Sequence, residues 1–339
     1  MTQSADIAIL GAGSWGTALA IQLGRGEGHA ILWGRADDEP ERLARERVNA
    51  RYLPDAPFPD GLQIEADLTR ALAPRDILVV VPSHAFRSLL LEIRPHLRSE
   101  HRVAWATKGF EQKTGLLPHQ VSREVLGDAL PLAVLSGPTF ATEVGAGLPT
   151  AMTVAATDEQ FAADMAARIA GPKFRAYTSG DLVGVEVGGA VKNVLAIGAG
   201  MSDGLGYGAN TRIALISRGL AEMRRLGVAL GAHPDTFLGL SGMGDLVLTC
   251  TDDQSRNRRM GLALAQGRST DEVAREIGQV VEGVYAAKAV HDVATRVGVE
   301  MPLCEQVYRI LYDGQPVADA ITQLLSRDLR EEADRHPAN

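Results

Sequence analysis

The stretch ADIAILGAGSWGTALAIQLG, residues 5–24, decides the fold of the N-terminal half. The apolar run ADIAIL precedes the glycine turn GAGSWG, and a helical pattern follows the turn. Gly11, Gly13 and Gly16 form GxGxxG between a predicted strand and a predicted helix, the context in which this pattern binds a dinucleotide diphosphate. The three glycines would allow the tight turn, the close approach of the diphosphate and the packing of helix on strand. The alternative is a glycine turn without a ligand.

The choice of dinucleotide depends on the tip of the second strand, about 20 residues further on. There the sequence has Arg35 directly after the strand, and the acidic residues follow only at Asp37 and Asp38. An acid at the tip would bind the ribose hydroxyl of NAD, whereas arginine pairs well with a 2′-phosphate. The sequence therefore favours NADPH. NADH is the alternative cofactor, and a solvated Arg35 at a helix start is the alternative role for that side chain.

Composition excludes several classes of protein. The 339 residues are 45% hydrophobic and carry a formal net charge of −8, which suits a globular protein of two domains and argues against nucleic-acid binding. The cysteines, Cys250 and Cys304, are far apart, and no histidine or cysteine spacing is typical of a metal site. We expect no metal, no membrane-embedded segment and no secretory signal, and hence a cytoplasmic protein.

The order of predicted elements divides the chain in two. Strands alternate with helices up to about residue 180, which predicts an α/β domain with a doubly wound Rossmann-type sheet at 1–182. Long helical patterns then predict an all-α domain at 183–330, and the polar residues 331–339 are expected to form a frayed tail. The predicted strands are 5–10, 30–33, 76–81, 102–106, 132–135, 150–155 and 173–177. The predicted helices are 14–25, 37–47, 84–97, 115–126, 158–169, 181–201, 211–230, 255–266, 270–277, 283–297, 303–312 and 316–325.

Strand ends of the first half carry candidate ligand-binding residues, because ligands of such sheets bind beyond the carboxyl ends of the strands. Lys108 follows one strand and offers charge to an anion, although an ordinary surface lysine is the commoner case. Ser136–Thr139 forms a turn after another strand. Ser83 is a candidate helix N-cap after a third.

The helical half contains the candidate catalytic residues. Lys192 lies in an almost entirely apolar helix, and a buried lysine with a shifted pKa is a candidate general acid and base. Its alternative role is a side chain that reaches solvent along its stem. Asp245 begins a glycine-flanked helix. Ser255 is a predicted N-cap with Arg256 and Asn257 in the first turn, a pattern typical of a phosphate site or, alternatively, of a solvated helix start.

Eight motifs in register together resemble the bacterial NAD(P)-dependent glycerol-3-phosphate dehydrogenases. They are GAGSWGTALA, VPSHAFR, ATKGFE, SGPTFATEV, AVKNVLAIGAGMSDGLGYGANT, GLSGMGDLVLTC, SRNRRMG and VVEGVYAAK. The resemblance extends from about residue 6 to residue 325. It implies a C-terminal domain similar to that of 6-phosphogluconate dehydrogenase, and commonly a homodimer.

The resemblance also implies roles for individual residues. The cofactor would contact Gly11, Gly13, Ser14, Trp15, Gly16, Arg35, Lys108, Ala141, Arg256, Val280 and Glu282. The substrate would contact Lys108, Gly137, Thr139, Lys192, Asp245, Ser255, Arg256 and Asn257, with threonine at 139 where many relatives have serine. Lys192 would exchange the proton and Asp245 would orient it.

The implied reaction is reduction of dihydroxyacetone phosphate by NAD(P)H to sn-glycerol 3-phosphate, which would supply glycerophospholipid synthesis. Two alternatives remain at this stage. A β-hydroxyacid or 6-phosphogluconate type dehydrogenase has the same domain pairing and also uses a lysine. A non-catalytic NADPH sensor on this fold would not need Lys192, Asp245 and Arg256 together.

Overall fold

An eight-stranded sheet forms the centre of the N-terminal half in the computed structural model, which describes residues 5–325. Its spatial order is β10-β9-β8-β7-β6-β1-β2-β5, and the additional pair β3–β4 forms a separate hairpin. The strands are β1 (Ile7–Leu10), β2 (Ala30–Trp33), β3 (Val48–Asn49), β4 (Leu53–Pro57), β5 (Leu62–Glu65), β6 (Asp76–Val79), β7 (Arg102–Trp105), β8 (Leu132–Ser136), β9 (Thr150–Ala156) and β10 (Phe174–Ser179). The expected Rossmann-type sheet is confirmed.

All neighbouring strands of this sheet are parallel except β8 and β9, which are antiparallel. The connection between them, residues 137–149, contains one short helix, α6 (Ala141–Ala146). A parallel crossover needs a dozen or more residues and usually a full helix that returns along the sheet. The short connection therefore starts β9 close to the carboxyl end of β8, and β9 runs antiparallel to it.

Helices flank the sheet and then dominate the chain. Those of the first half, besides α6, are α1 (Ser14–Leu23), α2 (Pro40–Glu46), α3 (Leu68–Ala71), α4 (Ser83–Ile93), α5 (Pro118–Leu126) and α7 (Glu159–Ile169). Those of the second half are α8 (Leu182–Gly204), α9 (Ala209–Ala229), α10 (Asp245–Thr251), α11 (Arg256–Ala265), α12 (Thr270–Ile277), α13 (Glu282–Val297), α14 (Pro302–Tyr312) and α15 (Val317–Leu325). The expected frayed tail lies outside the described residues.

The central helix of the second half is α8, against which α9, α10, α11, α13 and α14 pack. Two glycines allow the closest approaches: a Cβ on Gly188 would lie 2.4 Å from the Ser241 carbonyl oxygen, and one on Gly200 would lie 2.1 Å from that of Arg258. By length and composition α8 could cross a membrane, but 89% of its apolar window is buried inside the protein. Its hydrophobicity is explained by the core that it forms.

The glycine turn joins β1 to α1 as the sequence predicts. Gly11 has φ = +121°, and a Cβ there would lie 2.4 Å from the Val80 carbonyl oxygen. A Cβ on Gly16 would lie 1.9 Å from the carbonyl oxygen of Gly11, so α1 packs too closely on the turn to accept any side chain. By contrast, a Cβ on Gly13 would meet no atom within 4 Å. Gly11 and Gly16 are needed by the fold, and Gly13 borders open space.

These contacts predict opposite results for two similar substitutions. Gly16→Ala should lower the free energy of unfolding by about 1–3 kcal/mol through overpacking, although alanine favours a helix more than glycine does. Gly13→Ala is the matched control and should lower it by about 1 kcal/mol at most, since alanine is a poorer N-cap than glycine but its Cβ meets no atom there. Urea unfolding followed by circular dichroism measures both, and equal losses of stability would contradict the packing described here.

Candidate active site

Two lysines from different halves of the chain bind one buried carboxylate. Lys108 follows β7 at the carboxyl end of the sheet, and its Nζ lies 2.6 Å from Oδ2 of Asp245. Lys192 lies in the middle of α8, and its Nζ lies 2.5 Å from Oδ1 of the same carboxylate. The Asp245 side chain is only 1% exposed. The structure thus brings together three residues that the sequence singled out, at the junction between the sheet and the helical half.

Burial and neighbouring charges determine the protonation of Lys192. Its pKa is lowered to about 8, chiefly because burial disfavours the charged form. Asp245 raises this pKa, and the ammonium of Lys108 lowers it. Lys192 also donates a hydrogen bond of 3.1 Å to the Thr249 hydroxyl. An amine with a pKa near neutrality, held by two acceptors, can give and take a proton.

The N-terminus of α11 forms a second part of the site. Ser255 caps the helix by accepting a hydrogen bond from the N–H of Arg258, as predicted. Asn257 donates to Oδ1 of Asn193 at 2.8 Å and accepts from the N–H of Gly283 at 2.8 Å, which ties α11 to α8 and to the start of α13. The first N–H groups of α11 precede its internal hydrogen bonds and can bind an anion.

Arg256 and Glu282 are both half-buried, and their charges interact. Burial lowers the pKa of Arg256, and the Glu282 carboxylate raises it. Burial raises the pKa of Glu282 to about 7, while a hydrogen bond from Ser83 and the charge of Arg256 lower it. The Ser83 hydroxyl donates to Glu282 Oε2 at 3.2 Å. Ser83 is therefore not the predicted N-cap: α4 begins at Ser83 itself, and Pro82 is the cap residue.

The glycine turn fits a dinucleotide diphosphate in three respects. The position of a Gly13 side chain is open space, so a ligand can approach the backbone there. No side chain caps the N-terminus of α1, so its first N–H groups are free of a side-chain acceptor. Within residues 5–325 the buried Trp15 Nε1–H has no acceptor, which suits contact with a bound polar group.

The remaining sequence-predicted residues take different positions. Gly137 has φ = +158° and packs against Met152, and the Thr139 hydroxyl donates to the Gly137 carbonyl oxygen at 3.2 Å. Ala141 begins α6, and Val280 is half-buried in the segment before α13. Arg35 is exposed, and its backbone N–H donates to Asp38 at 2.9 Å. The structure does not bring the Arg35 side chain into contact with the lysine cluster.

Three contacts of the site were missed from sequence. Thr249 lies one turn after Asp245 in α10, Asn193 adjoins Lys192, and Gln279 accepts a hydrogen bond of 3.2 Å from Arg256. A signal existed for Asn193, a polar residue in an otherwise apolar helix. For Thr249, the spacing of four from Asp245 places both on one helix face. Within the described residues no group of three or more His, Cys, Asp or Glu side chains could hold a metal.

Comparison with known proteins gives a consistent result along the whole chain. A family model for the N-terminus of NAD-dependent glycerol-3-phosphate dehydrogenase matches residues 6–162, and the model for its C-terminus matches residues 181–322. The chain is 56% identical over 334 residues to a glycerol-3-phosphate dehydrogenase (NAD(P)+) of Tolumonas auensis, covering 98% of this chain and 100% of the relative. It is 56% identical over 333 residues to that of Cronobacter sakazakii, covering 98% of each.

A solved structure supports the same relationship. The crystal structure of glycerol-3-phosphate dehydrogenase from Coxiella burnetii superposes with a TM-score of 0.91 at 48% identity. The superposition covers 95% of this chain and 98% of that one.

Proposed function

This chain belongs to the NAD-dependent glycerol-3-phosphate dehydrogenase family, and we propose that its chemistry takes place where Lys108 and Lys192 meet Asp245. The protein is an oxidoreductase that interconverts dihydroxyacetone phosphate and sn-glycerol 3-phosphate with a nicotinamide cofactor. The family match removes the hydroxyacid-dehydrogenase and sensor alternatives. The single observation that carries the assignment of the site is the buried Lys192–Asp245 pair.

Lys192 is the proposed proton donor and acceptor. In the direction of reduction its ammonium gives a proton to the oxygen that becomes the hydroxyl of the product, and in oxidation the neutral amine takes it back. Asp245 fixes the direction of the Lys192 side chain through the hydrogen bond of 2.5 Å and favours its charged form. Lys108 occupies the other carboxylate oxygen, so Asp245 cannot rotate freely.

The phosphate of the substrate is proposed to bind at the start of α11. Arg256 and the free N–H groups of the first turn supply positive charge there, and arginine suits the geometry of a phosphate. Two ammonium groups around one carboxylate also give the cluster of Lys108, Lys192 and Asp245 an excess of positive charge. Gly137, Thr139, Ser255 and Asn257 complete the proposed substrate site.

The nicotinamide cofactor supplies the hydride when bound. We propose that the glycine turn holds its diphosphate through the open space beside Gly13, the N–H groups that begin α1 and the Trp15 indole. Arg35 is exposed at the end of β2, where its guanidinium is accessible to a 2′-phosphate, and this supports a preference for NADPH over NADH. The other proposed cofactor contacts are Ser14, Lys108, Ala141, Arg256, Val280 and Glu282.

Further proposals rest on the family resemblance. We propose that residues 1–182 and 183–330 are the cofactor and substrate domains, which agrees with the start of α8 at Leu182. A cytoplasmic homodimer that supplies glycerol phosphate for phospholipids is the corresponding proposal for assembly, location and role.

Removal of the proposed proton donor should abolish most of the activity. Lys192→Ala should lower kcat for dihydroxyacetone phosphate reduction by about 10²–10⁴-fold, the range for lost acid–base catalysis. The reaction is followed by the loss of absorbance of the reduced cofactor. The control is Lys173→Ala, which replaces an exposed lysine directly before β10. Turnover by Lys192→Ala within tenfold of the unmodified enzyme would contradict the assignment.

Removal of Arg35, the proposed contact of the 2′-phosphate of NADPH, should change the preference between NADPH and NADH. Arg35→Ala should lower the ratio of kcat/KM with NADPH to that with NADH by about tenfold or more, since a hydrogen bond to a charged group contributes about 1.5–3 kcal/mol. Arg45→Ala removes another exposed arginine, with 71% of its side chain accessible, and should leave the ratio unchanged. The proposal for Arg35 fails if its variant gives the same ratio as the Arg45 variant.

A further inference from the structure

Glu186 is a buried carboxylate on α8 whose hydrogen-bond donors come from the first half of the chain. Its side chain is 1% exposed. Oε1 accepts from Trp105 Nε1 at 3.1 Å and from the backbone N–H of His119 at 2.9 Å, and Oε2 lies 2.5 Å from His119 Nδ1. The carboxylate thus joins α8 to the last residue of β7 and to the N-terminus of α5.

The environment of Glu186 satisfies the carboxylate well. Pro118 begins α5 and has no N–H, so the N–H of His119 is the first that the helix can offer, and a negative charge is favoured there. Burying a carboxylate is nevertheless costly, and an apolar residue in such a place is often as good for stability or better. Stability alone therefore does not explain a carboxylate at this position.

The contact between α8 and the end of β7 extends from Glu186 to the cluster of Lys108, Lys192 and Asp245. Glu186 meets Trp105, and three residues further along both segments Gly189 meets Lys108: a Cβ on Gly189 would lie 3.3 Å from Lys108 Cγ. Three residues beyond Gly189 is Lys192, roughly 9 Å along the helix from Glu186. A shift of α8 against β7 would change the distance between the two lysines and would strain both bonds to Asp245.

We propose that Glu186 is a positioning residue, which sets the register of α8 against the end of β7 and thereby places Lys192 opposite Lys108 and Asp245. It does not touch the reacting atoms. This inference rests on the proposed role of Lys192, and it extends that role to the contact between the two halves of the chain.

The test compares two substitutions at Glu186. Glu186→Leu removes the acceptor and should lower kcat by about 10–100-fold, because a displacement of about 1 Å in a catalytic group has effects of that size. The dissociation constant for NADPH, measured by quenching of tryptophan fluorescence, should change by less than kcat does, since the proposed diphosphate site between β1 and α1 does not include α8. Glu186→Gln keeps an acceptor for Trp105 and for the His119 N–H, and should restore kcat to within about threefold.

A matched control separates positioning from general stability. Glu222 on α9 is also buried, and its carboxylate accepts from the N–H groups of Leu303 at 2.7 Å and Cys304 at 3.2 Å, neither of which belongs to the cluster. Glu222→Leu should lower the melting temperature but leave kcat within about threefold. The inference is overturned if Glu186→Leu retains kcat within that range, or if Glu222→Leu loses as much kcat as Glu186→Leu.

Two further variants, Trp105→Phe and Lys192→Ala, test the positioning role separately from the catalytic assignment. If Glu186→Leu does not fold, Trp105→Phe removes one donor and keeps an aromatic side chain: a kcat lowered about threefold or more supports the inference, and an unchanged kcat overturns it. Lys192→Ala is measured in the same assay. An inactive Lys192→Ala beside a fully active Glu186→Leu refutes only the positioning role, whereas an active Lys192→Ala refutes the catalytic assignment itself.

Discussion

The structure depends on one buried carboxylate that binds two lysines. Asp245 accepts from Lys108 at 2.6 Å and from Lys192 at 2.5 Å, and one lysine comes from each half of the chain. An unpaired carboxylate in this place would be costly, and so would an unpaired lysine. Each charge therefore offsets part of the free-energy cost of burying the others, so the three groups can be shielded from water without a large loss of stability. Burial in turn lowers the pKa of Lys192 to about 8, which gives a residue with an ordinarily high pKa a proton to exchange near neutrality.

The pairing of Asp245 with two lysines also explains why the sheet and the helical half each contribute residues to the site. The sheet places a cofactor turn and Lys108 at its carboxyl edge, as open α/β sheets generally do. The helical half supplies Lys192 on α8, which is buried along most of its length, and the proposed phosphate site at the start of α11. Neither half contains the whole cluster, so under the proposed mechanism the contact between the halves affects catalysis as well as stability. Polar contacts such as Ser83 with Glu282 and Trp105 with Glu186 cross this junction.

Sequence patterns predicted most of the fold and singled out the three residues that meet at the centre of the proposed site. A lysine in an apolar helix identified Lys192 because burial of a charge has few structural explanations. The hairpin of β3 and β4 was missed because Pro54 and Pro57 interrupt the strand pattern, and β5 was missed because an edge strand with exposed Gln63 lacks a continuous apolar run. Strand β9 was predicted at 150–155, but its antiparallel direction was not, since strands buried on both faces have the same composition in either direction. Contacts between distant segments, such as those of Glu186, depend on tertiary packing that no local pattern specifies.

The central claim is that burial in this cluster lowers the pKa of Lys192, helped by the ammonium of Lys108 and opposed by Asp245. Nuclear magnetic resonance titration of protein labelled with ¹³C at lysine Cε measures this directly, with the Lys192 signal assigned by its loss in Lys192→Arg. The account predicts a pKa of about 8 for Lys192. A Lys192 signal that titrates at the ordinary lysine value of about 10.4 would contradict it.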